Sequence, residues 1–282
     1  MFNFQVLSDL HLEYLDSTEY DLILTPSDDV DMLIMSGDIS TYDCPELPNF
    51  LAWISARYKQ IIWVLGNHEY YNIIGKSMSE IKQILRSICP QNIRILDCEY
   101  LELDNVIIIG ATLWSWIPTE HECFIKRSIS DFRRIYIAPY NNITPAQVNE
   151  MHIHDRDCII NTLETLGTVG SKILVYPNTT TTNIHKPIII VTHHAPRVKN
   201  TSPDEYISGY LNHAFATDII LSDTAKQANI QYWIYGHTHH NNREYITIGA
   251  NRGYWLLSNQ FGYEGEHTGL GYQYNQHIQI TE

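Results

Sequence analysis

Val64-Leu65-Gly66-Asn67-His68-Glu69-Tyr70-Tyr71 is the stretch that decides how the rest of the chain is read. An apolar run from Ile61 to Leu65 ends at Gly66, and three polar groups follow at once. Asn67 offers a neutral oxygen and Glu69 a carboxylate. His68 is the residue type whose unperturbed pKa lies closest to neutrality. Alone, the stretch is equally well a polar turn after a strand. The same grammar, an apolar run and then a ligand-bearing loop, recurs four times. Phe2 to Leu7 ends in Ser8-Asp9-Leu10-His11, and Met32 to Met35 ends in Ser36-Gly37-Asp38. Ile188 to Val191 ends in Thr192-His193-His194-Ala195-Pro196, and Tyr232 to Tyr235 in Gly236-His237-Thr238-His239-His240. Short runs rich in Val, Ile and aromatics read as buried strands. In open α/β sheets, ligands bind beyond the carboxyl ends of such strands.

The donor types restrict the chemistry. Oxygen and imidazole together suit Mn²⁺, Fe or Zn²⁺ better than Ca²⁺ or Mg²⁺. Asp9-x-His11 can turn both side chains toward one ion. So can His237-x-His239, because residues i and i+2 share a face of an extended segment. The seven or eight donors exceed one tetrahedral centre and match two ions sharing a carboxylate.

The five blocks, in this order, resemble the signature of the calcineurin-like metallophosphoesterases, and the resemblance runs from Asp9 to His239. It implies an α/β fold of two packed mixed β-sheets flanked by helices, a four-layer α/β/β/α sandwich. It further implies that Asp9, His11, Asp38 and His239 hold one divalent metal. Asp38, Asn67, His193 and His237 would hold a second, with Asp38 bridging. Mn²⁺ is the favoured ion, with Fe, Zn²⁺ or Ni²⁺ as alternatives. Two such ions clamp the attacking and leaving oxygens of an in-line displacement and make hydroxide available at neutral pH. His68 then serves as the general acid, and Glu69 orients its loop. His193 directly follows its strand and is preferred over His194 as ligand. His194 and Arg197 are the candidates for substrate binding. The expected activity is metal-dependent hydrolysis of a small phosphodiester or phosphomonoester. The alternatives are a nuclease or nucleotide phosphodiesterase, and a metal-binding scaffold without turnover. The protein serine/threonine phosphatase branch is disfavoured, because Gly37-Asp38-Ile39-Ser40-Thr41 lacks that branch's second Asp and its Arg. The same departure leaves His68 without an assigned carboxylate partner.

Composition narrows the partners. The chain has 282 residues with 44% hydrophobic content, enough for a sizeable core, and a net charge of −14. That charge repels polyanions, so extended nucleic acid is not expected as a partner. The five cysteines are widely spaced without a Cys-x-x-Cys, which reads as reduced thiols in a soluble, intracellular, cytoplasmic protein. No apolar run approaches a membrane span, and the sequence is silent on oligomeric state.

Periodicity predicts helices over Pro45–Tyr58 and Met78–Ile88, and a hairpin of Tyr100–Leu103 with Val106–Ile109 turning at Asp104-Asn105. A short strand is expected at Leu22–Leu24. Thr144-Pro145-Ala146-Gln147 is a capping box that opens a helix to about Leu166. A further helix is expected over Ala214–Ala228. Tyr245–Ile248, Trp255–Ser258 and His277–Ile280 read as closing strands of a second sheet. The whole of 1–282 is read as one domain with a cap insertion at about 114–166, aromatic-rich in its first part.

Overall fold

The computed structural model describes residues 2–15, 20–167, 186–250, 252–263, 265–266 and 271–280. The Thr-rich stretch 178–183, which by its composition reads as a surface loop, lies outside them. The first half alternates strand and helix: β1 (Phe2–Leu7), β2 (Met32–Ser36), α1 (Leu47–Ser55), β3 (Gln60–Val64), α2 (Met78–Ile88) and β4 (Ile93–Ile95). A hairpin of β5 (Glu99–Glu102) and β6 (Ile107–Ala111) follows. Next come α3 (Glu122–Ser128), α4 (Asp131–Arg134), a small ribbon of β7 (Tyr136–Ala138) and β8 (Asn141–Asn142), and α5 (Pro145–Gly167). The chain continues through β9 (Ile188–Thr192), α6 (Asp204–Ile207), β10 (Ile230–Tyr235), β11 (Arg243–Gly249), β12 (Arg252–Ser258) and β13 (Ile278–Ile280).

Among the described residues these strands form two large mixed sheets, ordered β13-β1-β2-β3-β4 and β11-β12-β10-β9-β6-β5. Period-two alternation explains how they stack. Phe4, Val6, Ile34, Ile62 and Val64 of the first sheet meet Ile108, Val191, Tyr232 and Ile234 of the second in one inter-sheet core. The intervening residues Leu7, Leu33, Met35, Ile61 and Trp63 point the other way, onto Phe50, Ile54, Ile81 and Leu85 of α1 and α2. Ile109, Ile190 and Trp233 likewise turn outward onto Ile159 and Leu163 of α5. The result is the four-layer order helix, sheet, sheet, helix. No described helix is long and apolar enough to cross a membrane.

Register aligns the strand ends. β1, β2 and β3 are parallel, with Leu7 beside Met35 and Ser36 beside Val64. In the second sheet Ala111 pairs with Thr192, and Val191 with Ile234. The loops after β1, β2, β3, β9 and β10 therefore leave from one edge of the sandwich.

The expected capping box forms as a side-chain exchange. Thr144 Oγ1 accepts from Gln147 N, and Gln147 Oε1 accepts from Thr144 N. Ser77 and Glu80 do the same at α2. Three expected elements differ. Leu22–Leu24 is no strand: the chain makes a 3-10 turn at Tyr20–Leu22, closed by Ile23 N to Tyr20 O. Ala214–Ala228 is not a continuous helix and keeps only short 3-10 turns, at Tyr210–Ala214 and Ala225–Gln227. Side-chain oxygens compete with a helix there: Asp218 Oδ1 accepts from Val198 N and Ser222 Oγ from Ala225 N. β13 joins the first sheet rather than the second, antiparallel to β1 with Phe4 opposite Ile278, and so covers that strand's edge.

Phe4 is fully buried and meets the Tyr232 ring edge-on at 5.4 Å across the two sheets. Phe4→Ala should destabilise the fold by about 3–5 kcal/mol, the usual cost of that truncation in a packed core. Urea unfolding checks this, and a loss near zero would mean the sheets do not share a core.

Candidate functional site

Three of the five strand-end loops, those after β1, β2 and β10, are held in unusual backbone. Asp9, His11, Asp38, His237 and His239 all adopt positive φ, between 48° and 72°. That region is costly for residues with a Cβ and tends to persist at functional sites. Each strained loop is anchored by its neighbour. Asp9 Oδ1 accepts from His237 N at 2.8 Å, and Asp38 Oδ1 accepts from His68 N at 2.8 Å. His11 N donates to Asp38 O, and Gln260 Oε1 accepts from His239 N. Glu69, fully buried, accepts from the backbone N–H groups of Asp38, Ile39 and Gly66. It thereby ties the loop after β2 to the loop after β3, and it points at backbone rather than into the cluster. Gly37 and Gly66 are required by close approach: a Cβ on either would run into the His193 ring, and on Gly66 also into Asp38.

The side chains of Asp9, His11, Asp38, Asn67, His193, His237 and His239 converge. On one side His11 Nε2 lies 3.0 Å from His239 Nε2, and Asp9 joins them within metal-ligand reach. On the other side His193 Nε2 lies 3.0 Å from Asn67 Oδ1, 3.1 Å from His237 Nδ1 and 3.3 Å from Asp38 Oδ1.

The outer partners fix which atoms face inward. His239 Nδ1 is bonded to Glu266 Oε2 at 2.7 Å, so Nε2 is its inward atom. His193 donates through Nδ1 to Ser36 O at 2.9 Å, again leaving Nε2 inward. His237 donates through Nε2 to Ala214 O at 3.3 Å, leaving Nδ1. Asn67 spends its amide N–H groups on Asp131 Oδ1 and Tyr71 Oη, so its oxygen faces the cluster. Acceptor atoms thus face one another at hydrogen-bonding distance, an arrangement that is repulsive unless a cation or proton sits among them. Asp9 Oδ2 is buried with no hydrogen-bond partner, as a lone pair reserved for a metal would be. The donor set therefore fits divalent ions.

The electrostatics express the same demand for positive charge. Burial opposes a charge on His193, yet Asp38, Asp9 and Glu69 outweigh it and push the imidazole up to about 9. Burial would also raise Asp38, but His193 and His68 hold it well below the usual carboxylate range. His237 is driven well below the usual histidine range by burial and by His193.

His68 sits beside this cluster, buried and outside the inward-facing set. Its Nδ1 lies 2.8 Å from Glu13 Oε1, the carboxylate partner that the sequence left unassigned. Burial opposes charge on His68, but Asp38 and the Glu13 bond prevail and raise it. Burial would lift Glu13, but its bonds to His11 and His68 bring it down to about 2. The two substrate-binding candidates do not face the opening. His194 is 1% exposed, bonded through Nδ1 to Ser115 Oγ at 2.9 Å and stacked on His237 at 4.1 Å. Arg197 pairs with Glu244 of β11 at 3.4 Å and is not among the cavity-lining residues.

The cluster opens into a cavity of about 610 Å³. His11, Asp38, Asn67, His68, His237 and His239 form its floor, and Ile129, Asp131, Tyr206, Leu211, Phe215 and Tyr263 rise around it. Ser128 to Asp131 bring the segment after β6 to the rim. No residue of α5 lines the cavity, because the apolar face of that helix is spent on the second sheet. Tyr70 is core, whereas Tyr71 lines the cavity and bonds Asp131 at 2.5 Å. Several contributors were missed in the sequence. Glu13 had a signal, since it extends the alternation of Asp9 and His11 by two more residues. Asp131, Tyr263 and Glu266 had none, because only the fold brings them to the site.

Two mixed sheets carrying an oxygen-and-imidazole cluster at their strand ends define a metal-dependent phosphoric ester hydrolase. The chain belongs to the calcineurin-like phosphoesterases, whose family model matches residues 2–241. The family implies a binuclear divalent centre, with which the His and Asp clusters are compatible. The uncharacterized protein L509 of Acanthamoeba polyphaga mimivirus is 32% identical over 281 residues, covering 92% of this chain and 91% of its own length. The crystal structure of phosphopantetheinyl hydrolase (PptH) from Mycobacterium tuberculosis superimposes with a TM-score of 0.67. It covers 98% of this chain and 95% of its own at 18% identity, a likeness of fold.

Asp131 meets Asn67 on the outward, N–H side of the carboxamide and also accepts from Tyr71 Oη. Asp131→Ala should weaken divalent-metal affinity about 10–100-fold, as loss of a ligand's orienting partner does. Calorimetric titration with Mn²⁺ measures it, and unchanged affinity would show that Asn67 needs no orientation.

Proposed function

We propose that this chain hydrolyses a small phosphodiester at a two-metal centre. Asp9, His11, Asp38 and His239 would hold one ion, and Asp38, Asn67, His193 and His237 the other. The observation that carries the reading is the pair of inward-facing acceptor sets meeting at Asp38. His193, rather than His194, takes the ligand role because its Nε2 lies among Asn67, His237 and Asp38, while His194 turns to Ser115. Two bound divalent ions, Mn²⁺ by preference, would supply Lewis-acid polarisation of the phosphoryl group and a hydroxide nucleophile at neutral pH.

The remaining work falls to the chain's own groups. His68, held by Glu13, donates a proton to the leaving oxygen, a role worth typically about 10²–10⁴-fold in rate. Asp131 and Tyr71 hold Asn67 in orientation. Tyr263 stacks on His11 at 4.6 Å and shields that imidazole from bulk water.

A diester is preferred over a monoester on charge. Among the described residues no Lys or Arg lines the cavity, whereas Asp131, Glu205 and Glu266 do. A monoester dianion would find no Lys or Arg for its extra charge. A diester monoanion needs fewer, and its second organic group can bury apolar surface on Ile129, Leu211, Phe215 and Tyr206.

With Mn²⁺ present, kcat/KM should be higher for bis-nitrophenyl phosphate than for nitrophenyl phosphate. The reverse order would overturn the diester reading. Elemental analysis of Mn²⁺-loaded protein should give about two equivalents per chain, and Asp38→Ala should lose both. His68→Ala should keep its metals and lose about 10²–10⁴-fold in turnover on esters with poor leaving groups. The loss should be smaller for nitrophenolate, and an equal loss on both would remove His68 from the acid role.

A further inference from the structure

A second group of metal-type donors lies away from the cavity, where the link between β4 and β5 meets α5. Cys98 Sγ is 3.4 Å from His154 Nδ1 and 3.2 Å from Asp155 Oδ1, and His154 Nδ1 is 3.2 Å from Asp155 Oδ1. One atom from each of the three residues falls within a single ion's reach. Cys158 lies one helical turn beyond His154 on the same face of α5. One sulfur, one imidazole nitrogen and one carboxylate oxygen thus meet at one point, with a second sulfur, that of Cys158, on the adjoining turn of α5.

The surroundings are built around that point. Asp155 is 6% exposed and is oriented from behind, its Oδ2 accepting from Leu113 N at 2.9 Å. Cys98 and Leu113 both hold positive φ, 53° and 56°, although neither is glycine. The loop that presents Cys98 and the backbone that holds Asp155 are therefore both strained. Leu113 lies two residues before Ser115, the partner of His194.

We propose that Cys98, His154, Asp155 and Cys158 form a tetrahedral zinc site separate from the catalytic centre. Thiolate with imidazole is a donor set that selects Zn²⁺ over Mn²⁺, whereas the oxygen-and-imidazole cluster at the strand ends has no sulfur. An ion here would pin the crossover between the two sheets onto the helix that covers the second one. Its role is structural, because all four donor residues close the site and leave no open position for substrate.

The absence of sulfur at the catalytic cluster supplies a clean test. The full chain, stripped of metal and kept reduced, is titrated with Co²⁺ and watched for the near-ultraviolet thiolate-to-cobalt charge-transfer band. The band should appear in the native protein, be displaced by Zn²⁺, and vanish in Cys98→Ser/Cys158→Ser. Zinc-loaded protein should carry one more equivalent than that double variant, while Mn²⁺-dependent hydrolysis is the same in both. If the double variant does not fold, Cys158→Ser alone is used, and it should weaken the band. No band in the native protein, or a band that survives both substitutions, would overturn the site. So would thiol titration finding Cys98 and Cys158 joined as a disulfide in the native protein.

Discussion

The Glu69 carboxylate is the constraint on which the centre depends. Parallel pairing brings the ends of β2 and β3 to the same edge, but it does not fix how the chain leaves them. Glu69 does so by taking the N–H groups of Asp38, Ile39 and Gly66 at once. Burial and Asp38 push the Glu69 carboxyl up to about 7; hydrogen bonds to it contribute about 0.5–1.5 kcal/mol each, more when it is ionised, so three can hold a loop in a conformation it would otherwise leave. Five donor residues sit in left-handed backbone, at about 1–3 kcal/mol apiece. That strain is comparable to the net stability of a typical domain. It persists because each strained residue is bonded to the next loop: Asp9 to His237, Asp38 to His68 and His11, Gln260 to His239. The loops form one mutually braced ring. The glycines at 37 and 66 let His193 approach that ring from the second sheet.

The same bracing explains the electrostatics. His193, His237 and His239 are each committed on the far side to a carbonyl or a carboxylate, and Asn67 is committed to Asp131 and Tyr71. With rotations and tautomers set from outside, the inner atoms cannot turn away from each other. The raised His193 and the unpartnered Asp9 oxygen are two expressions of this arrangement, a cavity of acceptors shaped for positive charge. Asp131 extends the bracing beyond the sheets, since it stands in the segment at the cavity rim and fixes the floor residue Asn67. Cavity rim and donor cluster are mechanically linked through that carboxylate, and through Glu266, which also lines the cavity and holds His239.

What could be read from the sequence follows from locality. Each ligand block sits within a few residues of its strand, so Asp9, Asp38, Asn67, His193 and His237 were legible as strand-end groups. The first sheet's alternation was legible because its strands and helices are regular, and α2 appears over the residues its period gave. The stretch Ala214–Ala228 misled because its composition suits a helix, while the Asp218 side chain bonds the backbone of Val198 and Ser222 caps only a short turn at Ala225. β13 was assigned to the wrong sheet because three alternating residues carry no information on which edge they cover. Arg197 looked like a phosphate contact from its position after the His-His-Ala-Pro block. A long side chain can take the nearest opposite charge, and Glu244 supplies it. Glu13, Asp131 and Glu266 all act on histidine or asparagine from outside, and such partners depend on loop paths rather than on a strand.

The charge distribution sets how a substrate can be drawn in. A surface with net charge −14 repels anionic esters at long range, and the cavity rim adds Asp131, Glu205 and Glu266 without a described Lys or Arg to balance them. Attraction for a phosphate must then come from the floor alone. It falls off within about 8 Å at physiological ionic strength. Capture therefore relies on contact more than on steering, and the contact surface above the floor is apolar and aromatic: Ile129, Tyr206, Leu211, Phe215 and Tyr263. Such a surface discriminates by the organic group attached to the phosphate rather than by the phosphate itself. Protein-specific selectivity accordingly belongs to the segments carrying Ser128–Asp131 and Pro203–Phe215, which the chain adds around the strand-end ring.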